Sequence, residues 1–401
     1  MQICIIVKEY PSSLNEPIVS GEIKNPFYLS QTLKKMGHNI TVITHNKNKG
    51  IRDFNGVQIY SIGNGFLKGV VRSITSALNE ARGFLKLIKE EDFDVIHAHS
   101  SVTGLVLLRK AGKIRTPIIT TAHGTSLLEA KANTEGLSLY NTLAKLNSWT
   151  QYYIDRFSWL GSDVVISAGN HQVREMLKVY KLPEEKVNPI SNGVDTSFYK
   201  PDPKAGNKIK EKYGIEDKRI VLFVGRLVRK KGLQYLIYSA PLILREVPDT
   251  VFLVIGGADR FAQYESELRK KIKYLNLEGK FIIVKNVPEK DMPSYYNAAD
   301  VCVFPSINYE PLPTVIFEAM ACGKPIVASN LGGIPEQIGY IDTLVPQKNH
   351  IALAKMIIKI LKDDNLSREL SNKNRKRARE FHWEKISKMH VKLYRSVVYG
   401  G

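Results

Sequence analysis

Phe304-Pro305-Ser306-Ile307-Asn308-Tyr309-Glu310-Pro311-Leu312-Pro313-Thr314-Val315-Ile316-Phe317-Glu318-Ala319-Met320-Ala321-Cys322-Gly323-Lys324-Pro325-Ile326-Val327-Ala328-Ser329 is the stretch from which the rest of the chain is read. An apolar run ends in a Pro/Ser turn, a loop leads to a helix opening near Pro313, Gly323 stops it, and a second buried strand follows. Proline suits a first helical turn because its missing N–H has no intrahelical partner there. The N–H groups of Thr314 and Val315 then point out of the helix end. Such an end attracts an anion, and a phosphate fits it. Glu310 lies in the loop before this positive end and Glu318 more than a turn inside the helix, so the two carboxylates can hold different parts of one elongated ligand. A phosphate flanked by two hydroxyl-seeking carboxylates describes a nucleotide sugar.

Glu310 and Glu318 form an E-x7-E pair followed by Ala319-Met320-Ala321-Cys322-Gly323-Lys324-Pro325-Ile326-Val327-Ala328-Ser329, which resembles the signature of the large retaining glycosyltransferase family 4. Two solvated glutamates on a helix would be the bland reading of the spacing; the match across the whole unit outweighs it. The resemblance implies an α/β chain of GT-B architecture: two Rossmann-like domains facing across a cleft, with a C-terminal helix crossing back to the first. The expected division is an acceptor-side domain over 1–197, joined by the helix 384–401, and a nucleotide-sugar-binding domain over 205–380.

Two domains are also the expectation from 401 residues, since single cores stop growing below that length. A chain with 43% hydrophobic and 24% charged residues is of the soluble globular class. Three cysteines, Cys4, Cys302 and Cys322, cannot make a disulfide framework, and each adjoins an apolar run suited to a small buried thiol. The opening Met1-Gln2-Ile3-Cys4-Ile5-Ile6-Val7 lacks a basic leader, and no stretch approaches the ~20 apolar residues that span a bilayer. The expected location is the cytoplasm, with peripheral contact at the inner face of the membrane as an extension of that reading. A net charge of +19 implies a polyanionic neighbour: nucleic acid, an anionic membrane surface or phosphate-bearing substrates.

Along the chain, Gln2–Val7 reads as a strand, Lys8–Gly21 as a loop at its carboxyl end, Glu22–Lys35 as a helix and Ile40–Thr44 as the next strand. In family 4 the corresponding loop carries a Gly-Gly turn that lets the donor diphosphate approach the backbone; here Ser20 stands at the first position and Gly21 at the second. Gly65–Lys89 mixes Phe66, Leu67 and Val70 with Lys68, Arg72, Arg82, Lys86 and Lys89, a basic amphipathic pattern. It is read first as helix packed on the sheet and second as a surface for anionic membrane or a lipid-linked acceptor. His97 and His99 alternate onto one face of a strand, without the Cys/Asp/Glu partners that a metal site would need. His123, at the end of Pro117–Gly124, resembles the family's histidine that approaches the donor sugar. The acceptor is expected to enter beyond it, near Glu129, Lys131 and Glu135. Phe198–Gly206 has the composition of a linker, and further strands open at Arg219, Val251 and Phe281. The basic tail Arg368–Arg395 interleaves Phe381, Trp383, Ile386, Met389, Val391 and Leu393, which favours a packed helix over a nucleic-acid tail.

Gly225-Arg226-Leu227-Val228-Arg229-Lys230-Lys231-Gly232 resembles the family's Gly-Arg-Leu-x-x-x-Lys-Gly turn. By that register Arg226 and Lys231 hold the diphosphate, Arg229 and Lys230 being solvated. The resemblance assigns Glu310 to sugar hydroxyls, Glu318 to the ribose, and the N–H groups of Leu312, Thr314 and Val315 to phosphate; Pro313 has none to offer. Pro311-Leu312-Pro313 replaces the Gly-Phe-Gly of many relatives. Base recognition falls near Lys285-Asn286-Val287, where Asn286 replaces a common glycine, and Gly332-Gly333-Ile334-Pro335-Glu336 completes the match. These parts describe metal-free, cofactor-free departure of UDP or GDP from a hexosyl donor and transfer of the sugar to a hydroxyl. Retention in this family proceeds without a carboxylate nucleophile, the departing phosphate taking the acceptor's proton. Two alternatives are a GT-B sugar-nucleotide epimerase, against which the E-x7-E pair with Arg226 and Lys231 argues, and a basic binding protein on an inactive GT-B fold.

Overall fold

The computed structural model describes residues 1–18, 20–44, 50–62, 81–87, 91–99, 102–124, 139–256 and 262–400. By contacts the chain divides into two compact units: Met1–Ser12 with Ser20–Asn192 and Trp383–Gly401, and Ser13–Val19 with Gly193–His382. The short segment Ser13–Val19 therefore belongs with the second unit, where Glu289 N–H donates to Glu16 O at 3.1 Å and Lys290 N–H to Leu14 O at 3.0 Å.

The first unit carries β1 (Gln2–Val7), β2 (Asn39–Thr44), β3 (Gly50–Phe54), β4 (Val57–Ser61), β5 (Val95–Ala98), β6 (Ile118–Ala122), β7 (Val164–Ser167) and β8 (Val187–Pro189). They lie in the order β3-β4-β2-β1-β5-β6-β7-β8. All pairings are parallel except the hairpin β3–β4. Parallel strands are covered on both faces, which is why Ile3 to Val7 is an unbroken apolar run with every residue buried. The sequence reading leaves the hairpin unmarked, although Asn55-Gly56, both at positive φ, is a strong two-residue hairpin signal.

The second unit is a six-stranded sheet of β9 (Arg219–Val224), β10 (Thr250–Ile255), β11 (Phe281–Val284), β12 (Val301–Phe304), β13 (Ile326–Ser329) and β14 (Leu344–Val345). Its order, β11-β10-β9-β12-β13-β14, is the doubly wound Rossmann order, all parallel. Strand order reverses between β9 and β12 here, and between β1 and β5 in the first unit. At such a reversal the loops leaving the carboxyl ends of the two central strands diverge and leave room for a ligand.

Several local expectations are modified. The helix Gly21–Lys35 begins one residue early, and Ser20 is its N-cap at φ −136°, its hydroxyl accepting from Glu22 N–H. A capping serine needs no left-handed backbone, so the missing first glycine costs this loop nothing. The expected linker Phe198–Gly206 is helical from Pro203, because Asp202 caps Ala205 N–H and Pro203 occupies the first turn of Pro203–Tyr213. Most of the basic segment Gly65–Lys89, including Phe66, Leu67, Lys68, Val70, Arg72 and Lys89, lies outside the described residues. The helical turn 81–87 buries Phe84 and Leu87 and exposes Arg82 and Lys86, as a helix packed on a sheet does. The last helix, Trp383–Tyr399, packs on the first unit: Trp383 stacks on Tyr28 with ring centroids 6.3 Å apart, and Ile386, Val391, Leu393 and Tyr394 are buried. Among the described residues no helix is long and apolar enough to cross a membrane.

Candidate active site

The loops at the β9/β12 reversal carry the basic turn and the first glutamate. After β9 the chain runs through Gly225 and Arg226 into a short 3-10 turn, Arg229–Lys231. Gly232 follows at φ +75°, in the region that favours glycine; a Cβ there would stand 1.8 Å from Pro305 O. Glycine thus lets the turn press against the end of β12, where Ile307 N–H donates to Lys230 O at 2.9 Å. This contact delivers Lys231 to the second loop. Its Nζ donates to Glu310 Oε1 at 2.6 Å, and Ser306 Oγ donates to the same oxygen at 3.2 Å. Both side chains are largely withdrawn from water, at 18% and 8% exposure, so the pair is far better shielded than a surface salt bridge.

The Glu310 loop is itself held from beneath. Gly333 N–H donates to Glu310 O at 2.8 Å, and a Cβ on Gly333 would meet Pro311 O at 1.7 Å. Gln337, fully buried, donates to Pro313 O at 2.9 Å. The helix Thr314–Ala321 begins after Pro313, which is its N-cap rather than part of its first turn. Thr314 and Val315 are its first two residues, and their N–H groups have no carbonyl one turn earlier to bond. Burial of Ile316, Phe317 and Met320 seats the helix, each large apolar side chain contributing about 1.5–3 kcal/mol; Phe317 packs on Phe381 at 4.7 Å.

Glu318 is buried, and Tyr296 Oη donates to its Oε2 at 2.7 Å. Burial, then the carboxylate beside it, holds the Tyr296 phenol well above its usual pKa, so it remains a donor. Tyr296 therefore orients Glu318, a role that no spacing in the sequence reveals. Leu312 and Val287 are buried. Asn286 adopts φ +54°, a conformation asparagine tolerates, which accounts for asparagine at a glycine-like position. Arg226 is half-buried. Arg229 is not merely solvated: it pairs with Glu267 at 2.5 Å and lies over the Tyr264 ring at 5.3 Å.

In the first unit, His123 closes β6. Its Nε2 is 2.9 Å from Nδ1 of His99, whose ring lies tilted against His97 with centroids 4.3 Å apart. His97 bonds Thr121 Oγ1 at 2.7 Å and Tyr394 Oη at 2.6 Å, and His390 completes the cluster. Gly21 is the first residue of its helix, at the end of the loop that leaves β1. Glu129, Lys131 and Glu135 lie outside the described residues. Beyond them, Trp149, Tyr153, Phe157 and Lys110 line an open groove of about 760 Å³. No group of three His, Cys, Asp or Glu suited to a metal ion occurs among the described residues. One Asp-x-Asp triplet, Asp92-Phe93-Asp94, enters β5 at its amino end, where Asp94 accepts Gln2 N–H at 2.7 Å, on the edge of the sheet away from His123.

Burial lowers the pKa of all four histidines: His97 and His99 well below the usual imidazole value, His390 to about 4, and His123 against an opposing pull from Glu22. They are neutral in the folded chain. Unfolded, they take up protons as pH falls through about 6.5, so stability is full above that value and declines as pH falls toward 4. For His390 alone the loss amounts to about 3 kcal/mol. Urea midpoints measured from pH 8 to 4 are expected to fall along this course, and less steeply in His390→Gln; equal slopes in both proteins would remove His390 as a cause.

Two family models match the chain. Residues 27–198 match Glycosyltransferase Family 4, and residues 206–377 match Glycosyl transferases group 1. An uncharacterized glycosyltransferase of Methanocaldococcus jannaschii is 28% identical over 402 residues, spanning 98% of each chain. Among solved structures, sucrose-phosphate synthase from Thermosynechococcus elongatus superposes with a TM-score of 0.85 over all of both chains at 22% identity. The Anabaena protein HepE in complex with UDP-glucose superposes with a TM-score of 0.75 at 18% identity, over 99% of this chain and 100% of that one. At these identities the structural likeness speaks to the fold.

Proposed function

We propose the following reaction for a chain that is a family 4 glycosyltransferase of the GT-B fold: retaining transfer of a hexosyl group from UDP- or GDP-sugar to a hydroxyl acceptor, without a metal ion. The observation that carries it is the partly buried Lys231–Glu310 contact at the β9/β12 reversal, beside the opening of the helix Thr314–Ala321. Lys231 and Arg226 supply positive charge and the Thr314 and Val315 N–H groups supply dipoles, where the leaving diphosphate gains negative charge. Both therefore stabilise the transition state more than the bound donor. Glu310 uses Oε1 for Lys231 and Ser306, and Oε2 is assigned to a sugar hydroxyl. Glu318, its other oxygen held by Tyr296, is assigned to the ribose. HepE binds UDP-glucose, which supports a nucleotide-sugar donor. The acceptor hydroxyl is lipid-linked in the version of this reading in which the net charge of +19 draws the chain to the anionic inner face of the membrane.

A screen of UDP- and GDP-sugars for slow hydrolysis tests the reading without a known acceptor. One donor is expected to be cleaved, and at an unchanged rate in EDTA, because the positive charge comes from side chains and a helix end. Cleavage abolished by EDTA and restored by a divalent ion would defeat the metal-free mechanism; no cleavage of any donor would defeat the transferase reading.

A further inference from the structure

We propose that the outer face of the last helix, Trp383–Tyr399, is a docking surface for an anionic lipid bilayer. Burial divides this helix along its length. Ile386, His390, Val391, Leu393 and Tyr394 are buried against the first unit, while Lys385, Lys388, Met389, Lys392, Arg395 and Tyr399 are exposed. At 3.6 residues per turn and 1.5 Å per residue, the four cations fall within about 80° of arc, in a row about 15 Å long. Because the opposite face is packed, the row is held in place by the fold.

These charges are not offset by neighbours. None of the four cations has an ion-pair or hydrogen-bond partner among the described residues. The other basic helix, Asp364–Ala378, shows the common alternative: there Lys373 pairs with Glu369 at 2.7 Å, and Arg377 with Glu380. In Trp383–Tyr399 the one carboxylate is Glu384, in the first turn, where the helix dipole favours it. The helix Gly21–Lys35, which meets it through Tyr28 and Trp383, has Glu22 as its one acid. A row of unpaired cations on a fixed face attracts an extended anionic surface, each one favouring association with such a bilayer by about fivefold.

Met389 and Tyr399 choose among polyanions. They stand in the same row, 46% and 69% exposed. A bilayer accepts an apolar side chain at the headgroup–acyl boundary and a tyrosine ring at headgroup level. A nucleic-acid backbone would engage the cations but leave Met389 in water. The face is distinct from Gly65–Lys89, the segment whose sequence pattern suggests a membrane contact. Its position is also informative: Trp383, at the head of the row, lines a small cavity together with His99 and His123, so the row starts at the sheet edge that carries His123. A bilayer along it lies close to that edge. That a lipid-linked hydroxyl is thereby presented for transfer rests on the function proposed above; the docking itself does not.

The test sediments the full chain with vesicles of equal parts phosphatidylcholine and phosphatidylserine at low salt. The wild type is expected to pellet with them, and to be released at about 1 M salt, where the Debye length falls to about 3 Å. Lys388→Gln/Lys392→Gln is expected to weaken association roughly 30-fold, two contributions of about fivefold each. Lys355→Gln/Lys359→Gln removes the same charge from exposed positions of the helix His350–Lys362 in the second unit, and is expected to bind like the wild type. Met389→Ser is expected to bind more weakly, because the bilayer covers that side chain. No pelleting of the wild type at low salt would overturn the proposal. So would equal losses in the two lysine pairs, which would mark net charge rather than this face. Unchanged binding of Met389→Ser would mean that charge alone is read, as by a nucleic acid, and would overturn the lipid assignment. If the wild type hydrolyses no nucleotide sugar, the proposed reaction fails while the vesicle result stands.

Discussion

Lys231→Ala is expected to lower turnover by ~10²–10³, the effect of removing one charge-stabilising donor from a transition state, with a much smaller change in donor KM. Lys231 is paired with Glu310 before any ligand arrives, so its charge is partly spent in the ground state. In the proposed reaction the diphosphate oxygen becomes the stronger partner as the sugar–phosphate bond breaks, and the gain is expected in kcat. Arg226→Ala should show the same pattern. A second consequence follows from burial. Removing Lys231 leaves the Glu310 carboxylate withdrawn from water with Ser306 as its remaining donor to Oε1, a costly arrangement. Lys231→Ala should therefore also lower the melting temperature. Lys231→Ala/Glu310→Gln should recover much of that loss without recovering activity. Equal losses in kcat/KM and 1/KM would mean that Lys231 binds donor uniformly, and full activity would remove it from the site.

Gly333→Ala is the other substitution expected to act strongly, although no chemistry is assigned to it. A Cβ at that position would stand 1.7 Å from Pro311 O and 3.3 Å from a Leu312 methyl carbon. Those atoms are backbone and packed side chain, and cannot rotate away. The loop that carries Glu310 must move, and the 2.8 Å bond from Gly333 N–H to Glu310 O must lengthen or break. Overpacking of this kind costs about 1–3 kcal/mol in stability. The greater effect is on geometry, since a shift of roughly 1 Å in a positioned group can cost ~10²-fold in rate. Donor hydrolysis and the thermal midpoint measured on one preparation separate the two effects. Unchanged hydrolysis in a folded Gly333→Ala protein would show that the Glu310 loop does not need this support.

Much of the second unit is legible in the sequence because its information is local. Apolar runs of four to six residues mark parallel strands buried on both faces. Glu310, Thr314, Val315 and Glu318 stand within nine residues of one another around one helix start, so their relative placement follows from helix geometry. The turn from Gly225 to Gly232 is equally compact. The hairpin β3–β4 is local as well, its turn set by Asn55-Gly56. The helix Pro203–Tyr213 has the proline and glycine of a linker, and the capping Asp202 before them is what makes it a helix.

The elements, and the chemistry that each loop carries, are set by local residues: a basic turn, a loop with a carboxylate, a helix end, a histidine after a strand. Which of these meet is set by the packing of distant segments. Lys231 and Glu310 are 79 residues apart, and they touch because β12 lies beside β9 while the chain between them supplies β10 and β11 on the other side. Tyr296 reaches Glu318, Gly333 supports Glu310 and His99 reaches His123 by the same kind of long-range adjacency. Periodicity and capping act over a few residues along the chain and so can be read from it. Sheet order arises from how helices cover both faces of the strands together, and no short stretch of sequence encodes it.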